Sequence, residues 1–161
     1  MVYQCEAAEM KGEVLQDLQI QIYREVSMPN GDRIVQAEPI LDHWASMDLA
    51  NHNIFRLDAL NRVVWRVKRV EDQYVNWEVR HQHAREKDPG CEGYFDPFYN
   101  MSTRYFERRL LPDKGPFHPT EELVWFDDYA PGRLLSIITH WWAYDLDPVT
   151  GVAVCTGEQV K

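Results

Sequence analysis

Two short stretches of this chain obey one rule, and that rule limits what the chain can fold into. NIFRLDALNRVVWRV (53–67) and WWAYDLDPVTGVAVCTG (141–157) each run aromatic, any residue, Leu-Asp, a short polar loop, then valines. Phe55 matches Tyr144, Leu57 matches Leu146 and Asp58 matches Asp147; past a one-residue difference in the loop, Trp65 falls on Cys155. An aromatic and a Leu two residues apart face one side of a strand. The Asp that follows can accept hydrogen bonds from turn amides. Pro148 fixes one φ, and Gly151 can take the left-handed conformation that closes the loop. The pattern predicts one kind of antiparallel hairpin, used twice.

The rest of the chain extends this reading. In 19–40, Ile20, Ile22, Ile34 and Val35 flank Pro29-Asn30-Gly31-Asp32, a hairpin with tight-turn residues, and Pro39 ends its second strand. YVNWEVRHQH (74–83) alternates and reads as a further strand. Residues 6–18 space Met10, Val14 and Leu18 as a weak helix; 41–53 fits a short helix or a loop, and 104–111 a strand or a helix. The segments 85–100 and 111–122 read as loops. ELVWF and RLLSIITHWWAYDLD bracket the turn DDYAPG at 127–132. At 161 residues the chain suits one domain, 1–161, mainly β. The expected architecture is a curved sheet, sandwich or partial barrel of antiparallel hairpins with minor helix.

The repeated unit resembles the outer hairpin of β-propeller blades of the pyrroloquinoline-quinone type, whose pattern runs aromatic-x-Leu-Asp, a Thr-Gly turn, then Trp. The second copy keeps Leu146-Asp147 and Thr150-Gly151 but has Cys155 at the Trp position. The first keeps Trp65 but has Asn61-Arg62 at the turn. A closed propeller needs at least about four blades of roughly 40 residues, more than this chain can cover once its loops are counted. The resemblance therefore implies blade-like hairpins in a curved sheet or partial barrel, with no quinone chemistry attached.

The formal charge of −9, from 26 acidic and 17 basic residues, repels phosphate backbones and argues against a nucleic-acid binder. It suits docking onto a basic protein, such as a nuclease or nucleic-acid-binding effector. No apolar run reaches the roughly 18 residues of a membrane span, and the N-terminal residues lack the pattern of a secretory signal. Cys5, Cys91 and Cys155 are scattered and odd in number, which fits a reducing compartment and a cytoplasmic protein.

Two functional readings follow. If 74–83 is a strand, His81 and His83 share the face of Val75, Trp77 and Val79, while His140 shares one with Ile138, Trp142, Tyr144 and Leu146. Three such imidazoles could converge on one Zn, Fe or Ni ion. A cupin arrangement fails, because Glu86 falls on the opposite strand face from His83. An EF-hand fails, because Val149 stands where a third oxygen ligand belongs. No nucleophile signature or phosphate loop occurs. Arg104, Arg108 and Arg109 read as ion-pair partners or an oligomer contact.

On the other side, strand parity puts Trp141 with Asp145 and Asp147, and Asp127-Asp128 precede a Pro-Gly turn. An exposed Trp among carboxylates is a natural binding anchor. The favoured expectation is a non-enzymatic acidic binding protein, inhibitor- or immunity-like, without a cofactor. It would present Trp141, Asp145, Asp147, Asp127 and Asp128 to a basic partner, and a homodimer is compatible with this. The alternative is a small metal-dependent enzyme or ligand-binding β domain built on His81, His83 and His140.

Overall fold

Turn chemistry sets the first strand pair. In the computed structural model, which describes residues 10–13, 21–38, 47–71 and 73–161, β1 (Ile22–Ser27) and β2 (Arg33–Ala37) run antiparallel around Pro29-Asn30-Gly31. Gly31 takes φ +84°, and the Met28 amide donates to Asp32 O at 2.8 Å. The stretch 41–53, whose sequence fits a short helix or a loop, contains helix α1 (Met47–Asn51). Of the helix expected over 6–18, residues 10–13 are described, and they form a turn bonded through Gly12 and Glu13 to Val63. Val14, Leu18, Cys5 and Pro39 lie outside the described residues.

Strands β3 (Ile54–Leu57) and β4 (Val63–Arg66) complete a sheet of order β1-β2-β3-β4. The chain then passes through Val67 into β5 (Lys68–Val70), which belongs to a second sheet. Helix α2 (Trp77–Lys87) and the segment 88–99 lead to β6 (Asn100–Met101), followed by β7 (Tyr105–Leu110) and β8 (Glu121–Phe126). β7 and β8 form a two-stranded ribbon of their own. β9 (Leu135–Ile138), β10 (Trp142–Leu146) and β11 (Val152–Gln159) finish the second sheet, in the order β5-β11-β10-β9-β6. Among the described residues every strand pairing is antiparallel except β5 with β11. The protein is mainly β, as its hairpin patterns predict. No helix among the described residues is long and apolar enough to cross a membrane.

Two expectations fail. The strand read at 74–83 is replaced by α2. Asn76 caps it by accepting from the Val79 amide at 3.1 Å, Glu78 lies in its first turn, and Arg85 and Lys87 lie in its last. Trp77 and His81, four apart, are the side chains it buries. The run RLLSIITHWWAYDLD is likewise not one strand: β9 and β10 turn back on each other at His140-Trp141, and β8 pairs with β7.

The two Leu-Asp hairpins stack in the same sense rather than face to face. Tyr144 and Leu146 point into the main core with Ile54, Trp65 and Val67 from the first sheet. Phe55 and Leu57 point the other way, into a second cluster with Met10, Val35 and Leu49. A bulge at Val64 sets Trp65 opposite Arg56, the level held in the second hairpin by Val154 opposite Asp145, not by Cys155. Trp65 lies over Gly151 of the other hairpin's turn and donates to Pro148 O at 3.1 Å. The outer face of the second sheet carries Val154 and Val70, register partners that both remain exposed.

Beside α1, Arg66 donates to His52 O at 3.0 Å and to the Asp48 carboxylate at 2.7 Å. His52 is buried, with Nδ1 donating to Asp48 O at 2.9 Å. Burial foremost, then the charge of Arg69, lowers its pKa to about 4. The unfolded chain thus binds this proton more readily, so His52 favours folding above pH about 6.5 and progressively less as acid approaches pH 4. Between pH 7.5 and pH 5 this group alone should remove about 2 kcal/mol. Urea unfolding of wild type and His52→Gln across that range measures it; parallel pH profiles would refute it.

Candidate functional site

The hairpin turn between β9 and β10 displays two rings. The Thr139 amide donates to Trp142 O at 3.0 Å, and its Oγ1 accepts from the Trp141 and Trp142 amides at 3.3 and 3.2 Å. His140 and Trp141 are thereby held outward, edge to face with centroids 4.9 Å apart. Tyr99 joins them because its amide donates to Ile138 O at 2.8 Å, which sets its ring 6.3 Å from His140. The end of β11 closes the other side, where the Val160 amide donates to Trp141 O at 3.0 Å. Together with Ile138 and Lys161 these residues line a cleft of about 430 Å³.

Trp141 is 48% exposed yet fixed in direction. Its Nε1 donates to Tyr94 Oη at 3.0 Å, and Arg80 donates to the same oxygen at 3.0 Å while stacking over the Tyr94 ring. Burial, then the charges of Asp96 and Tyr94, raise the Tyr99 phenol, which stays a hydrogen-bond donor at neutral pH. The lining is aromatic and aliphatic, with Lys161 as its charged member. The lining residues include the aromatic rings of Tyr99, His140 and Trp141 and the hydroxyl-bearing Thr139.

A buried ionic network joins β5 to β10 and to the segment that leads to Tyr99. The Arg69 side chain is fully out of solvent. It donates to Glu71 at 3.0 Å, to the Asp96 carboxylate at 3.1 Å, to the carbonyls of Asn51 and Asp96 at 3.1 and 2.6 Å, and to Tyr144 Oη at 3.1 Å. Glu71 also accepts from Trp77 Nε1 and from the Tyr144 hydroxyl. Trp77 and Phe98 stand 4.8 Å from the guanidinium carbon. Burial alone would lower the Arg69 pKa, but Glu71, Tyr144 and Asp96 outweigh it and hold the guanidinium above its ordinary value. For Asp96 burial wins over Arg69, and the carboxyl is raised. Asn51 and Asn53 accept from the Asp96 and Phe98 amides at 2.6 and 2.9 Å, so the segment leading to Tyr99 is tied down on both sides.

The structure scatters the histidines. His81 is buried on α2, where Nδ1 accepts from the Tyr94 amide at 2.8 Å. His83, two residues on, lies on the exposed side of the helix, since successive positions rotate by about 100°. His140 sits at the turn tip rather than on a core face, because the strand that would carry it inward ends at Ile138. Among the described residues no three His, Cys, Asp or Glu side chains are grouped to hold a metal ion. The alternative interior histidine site therefore loses its geometric premise, the strand at 74–83.

The acidic residues are placed variously. Asp145 is bridged by Arg108 through two bonds of 2.8 Å and is 20% exposed at its side chain. Asp147 accepts from the Val149 amide at 2.9 Å, the turn role its position suggests. Asp127 pairs with Arg104 at 2.8 Å on the surface, and Asp128 is exposed beside it. Strand parity does not link Trp141 with Asp145 and Asp147, since β10 begins after Trp141. Tyr94, Tyr99, Val160 and Lys161 carry no local sequence signal; Tyr94 enters the site through its hydroxyl bond with Trp141, and Tyr99 and Val160 through backbone bonds to Ile138 and Trp141. No known protein family, curated protein or solved structure matches this chain.

Proposed function

We propose that this chain is a protein-binding domain, inhibitor- or immunity-like rather than catalytic, that docks onto a basic protein partner with Trp141 as its anchor. The observation that carries this reading is the outward-held Trp141, braced by Thr139 and Tyr94 beside an aromatic cleft. Trp is enriched where a few residues supply most of the binding energy. The charge of −9 supports a basic partner and fast, salt-sensitive association. Asp127 and Asp128 form the exposed acidic corner in this scheme, whereas Asp145 and Asp147 shape the surface through their internal bonds. The unpaired Cys91 and Cys155 fit a reducing, cytoplasmic setting.

Panning a random peptide-display library on the immobilised chain tests the proposal. Enriched sequences should be rich in Lys and Arg, and a synthesised hit should bind at least about tenfold more weakly to Trp141→Ala by calorimetry. Enrichment of acidic or uncharged sequences, or binding indifferent to Trp141, would refute it.

A further inference from the structure

The ribbon β7–β8 has one side tied to the second sheet and one side open. The Phe106 amide and carbonyl both bond to Leu134, at 2.9 Å each, and Leu134 leads into β9. Backbone groups alternate in direction along an antiparallel strand. Since Phe106 turns its groups toward Leu134, its register partner Trp125 turns its own away from β7. Leu123 and Glu121, two and four residues before it, do the same, and the Leu111 amide bonded to Thr120 O at 2.9 Å keeps the alternation in step. Among the described residues the outward amides of Glu121, Leu123 and Trp125 and the carbonyls of Glu121 and Leu123 have no partner; the Trp125 carbonyl receives Arg104 at 3.5 Å.

Native proteins blunt such an edge with proline, a charge, a bulge or a covering element. The six β7–β8 pairs follow one another without a register shift, and Leu123-Val124-Trp125-Phe126 contains neither proline nor charge. Leu123 and Trp125 are 41% and 38% exposed. Unpaired amides and carbonyls that repeat every second residue, about 6.8 Å apart, match the backbone of another extended chain. Charge narrows the occupant further. Residues 104–110 carry three arginines against Glu107, whereas 121–128 carry four carboxylates and no cation. Arg108 holds Asp145 and Glu121, Arg104 holds Asp127, and Arg109 and Arg133 hold Glu107. Asp113 and Lys114 at the tip offset each other. Among the described residues the carboxylates of Glu122 and Asp128 make no ion pair, and they flank the apolar stretch, both exposed. Two copies of β8 paired antiparallel about Trp125 would set Glu122 against Asp128, which disfavours a second copy and favours a strand with basic residues at those two levels.

We propose that a basic protein partner lends an extended segment to this edge. The segment adds to β8 as a further antiparallel strand, bonds the outward backbone groups of Leu123 and Trp125, and sets basic side chains against Glu122 and Asp128. The inference rests on the reading of a basic partner and adds to it a contact that does not involve Trp141.

The test uses the heptapeptide Lys-Val-Thr-Val-Thr-Val-Lys, acetylated and amidated at its ends. With its central Val opposite Trp125, its two lysines fall opposite Glu122 and Asp128. Titrated to millimolar into the full chain, it should shift the NMR amide signals of Leu123 and Trp125 and slow their exchange with solvent. Methylating the amide nitrogens of its valines, which face β8, should abolish binding; methylating those of its threonines, which face away, should not. Replacing both lysines by Glu should weaken binding at least about tenfold. Leu123→Pro removes an outward amide where an edge strand tolerates proline, so it should keep the fold and bind at least about tenfold more weakly. The proposal is overturned if the peptide does not bind, if its shifts fall on another strand, or if the valine-methylated peptide binds as the parent does. Protection of the same amides that grows with chain concentration in the absence of peptide also overturns it, since a second copy would then be the occupant. If the heptapeptide fails while selected peptides bind through Trp141, this inference falls and the docking reading stands; edge binding without any Trp141-dependent peptide gives the converse.

Discussion

Replacing Arg69 with Met is expected to destabilise the fold by about 3–5 kcal/mol, seen as a fall in Tm on the order of 10 °C. The reason is the company Arg69 keeps. Glu71 and Asp96 are buried carboxyl groups, and the guanidinium supplies the charge and several of the donors that hold them. Without it, two buried acids lose their counter-charge, and the carbonyls of Asn51 and Asp96 lose a donor. The loss should be largest for the single variant. Adding Glu71→Gln and Asp96→Asn removes the stranded charge and should recover a substantial part, since a neutral buried set tolerates the missing cation better.

The pH dependence has a definite sign. Burial already raises the Asp96 carboxyl in the native protein, so the folded state holds that proton more tightly than the unfolded chain does. A group raised in this way favours folding at low pH and loses that contribution as pH climbs from the ordinary carboxylate range through its raised value. Losing Arg69 removes a neighbour that works against the rise. The deficit of Arg69→Met should therefore shrink in acid and grow toward neutrality. Chemical unfolding at several pH values reads this directly. A deficit independent of pH, or a triple variant no better than the single one, would show that Arg69 acts through packing alone.

What sequence could foretell divides along physical lines. The hairpins were legible because their signals are local: alternation gives the face, and Asp, Asn, Gly and Pro give the turn. Asn61, at φ +61°, does for the first Leu-Asp loop what Gly151 does for the second. Helix α2 is concealed in the sequence because Val75, Trp77, Val79 and His81 alternate as a strand would. The competing signals were present in the Asn76 cap and in the charge gradient from Glu78 to Lys87. They decide the outcome because Trp77 and His81 also lie on one helical face, and Val79 is left exposed. Parity failed again at His140 and Trp141, where the Thr139 hydroxyl stabilises a turn inside an apolar run. The buried network had no local signature at all. Arg69 and Glu71 look like surface charges until residues from the fifties, the nineties and β10 close over them. Trp141 is exposed, as the sequence reading expects, but through a turn rather than strand parity, and the cleft beside it depends on pairings between distant segments.

The stacking of the two hairpins yields the second large effect. Trp65→Ala should cost about 3–5 kcal/mol, because it empties a site in the main core and removes one of the two donors to Pro148 O, the other being Arg56 at 3.2 Å. Trp65→Phe should cost less, since it keeps an aromatic ring while losing the Nε1 bond. The other side of the contact is as restrictive. Gly151 sits at φ +76°, and a Cβ there would come within 2.6 Å of the Trp65 ring. Gly151→Ala therefore combines backbone strain of about 1–3 kcal/mol with a steric clash. The two positions should be strongly non-additive. Once Trp65 is Ala, the clash has no object, and Gly151→Ala should cost little beyond its backbone strain. A double-mutant cycle by urea denaturation measures this coupling. If the two losses simply add, the hairpins are not locked by this contact, and the packing of Tyr144, Leu146 and Ile54 must carry the stack instead.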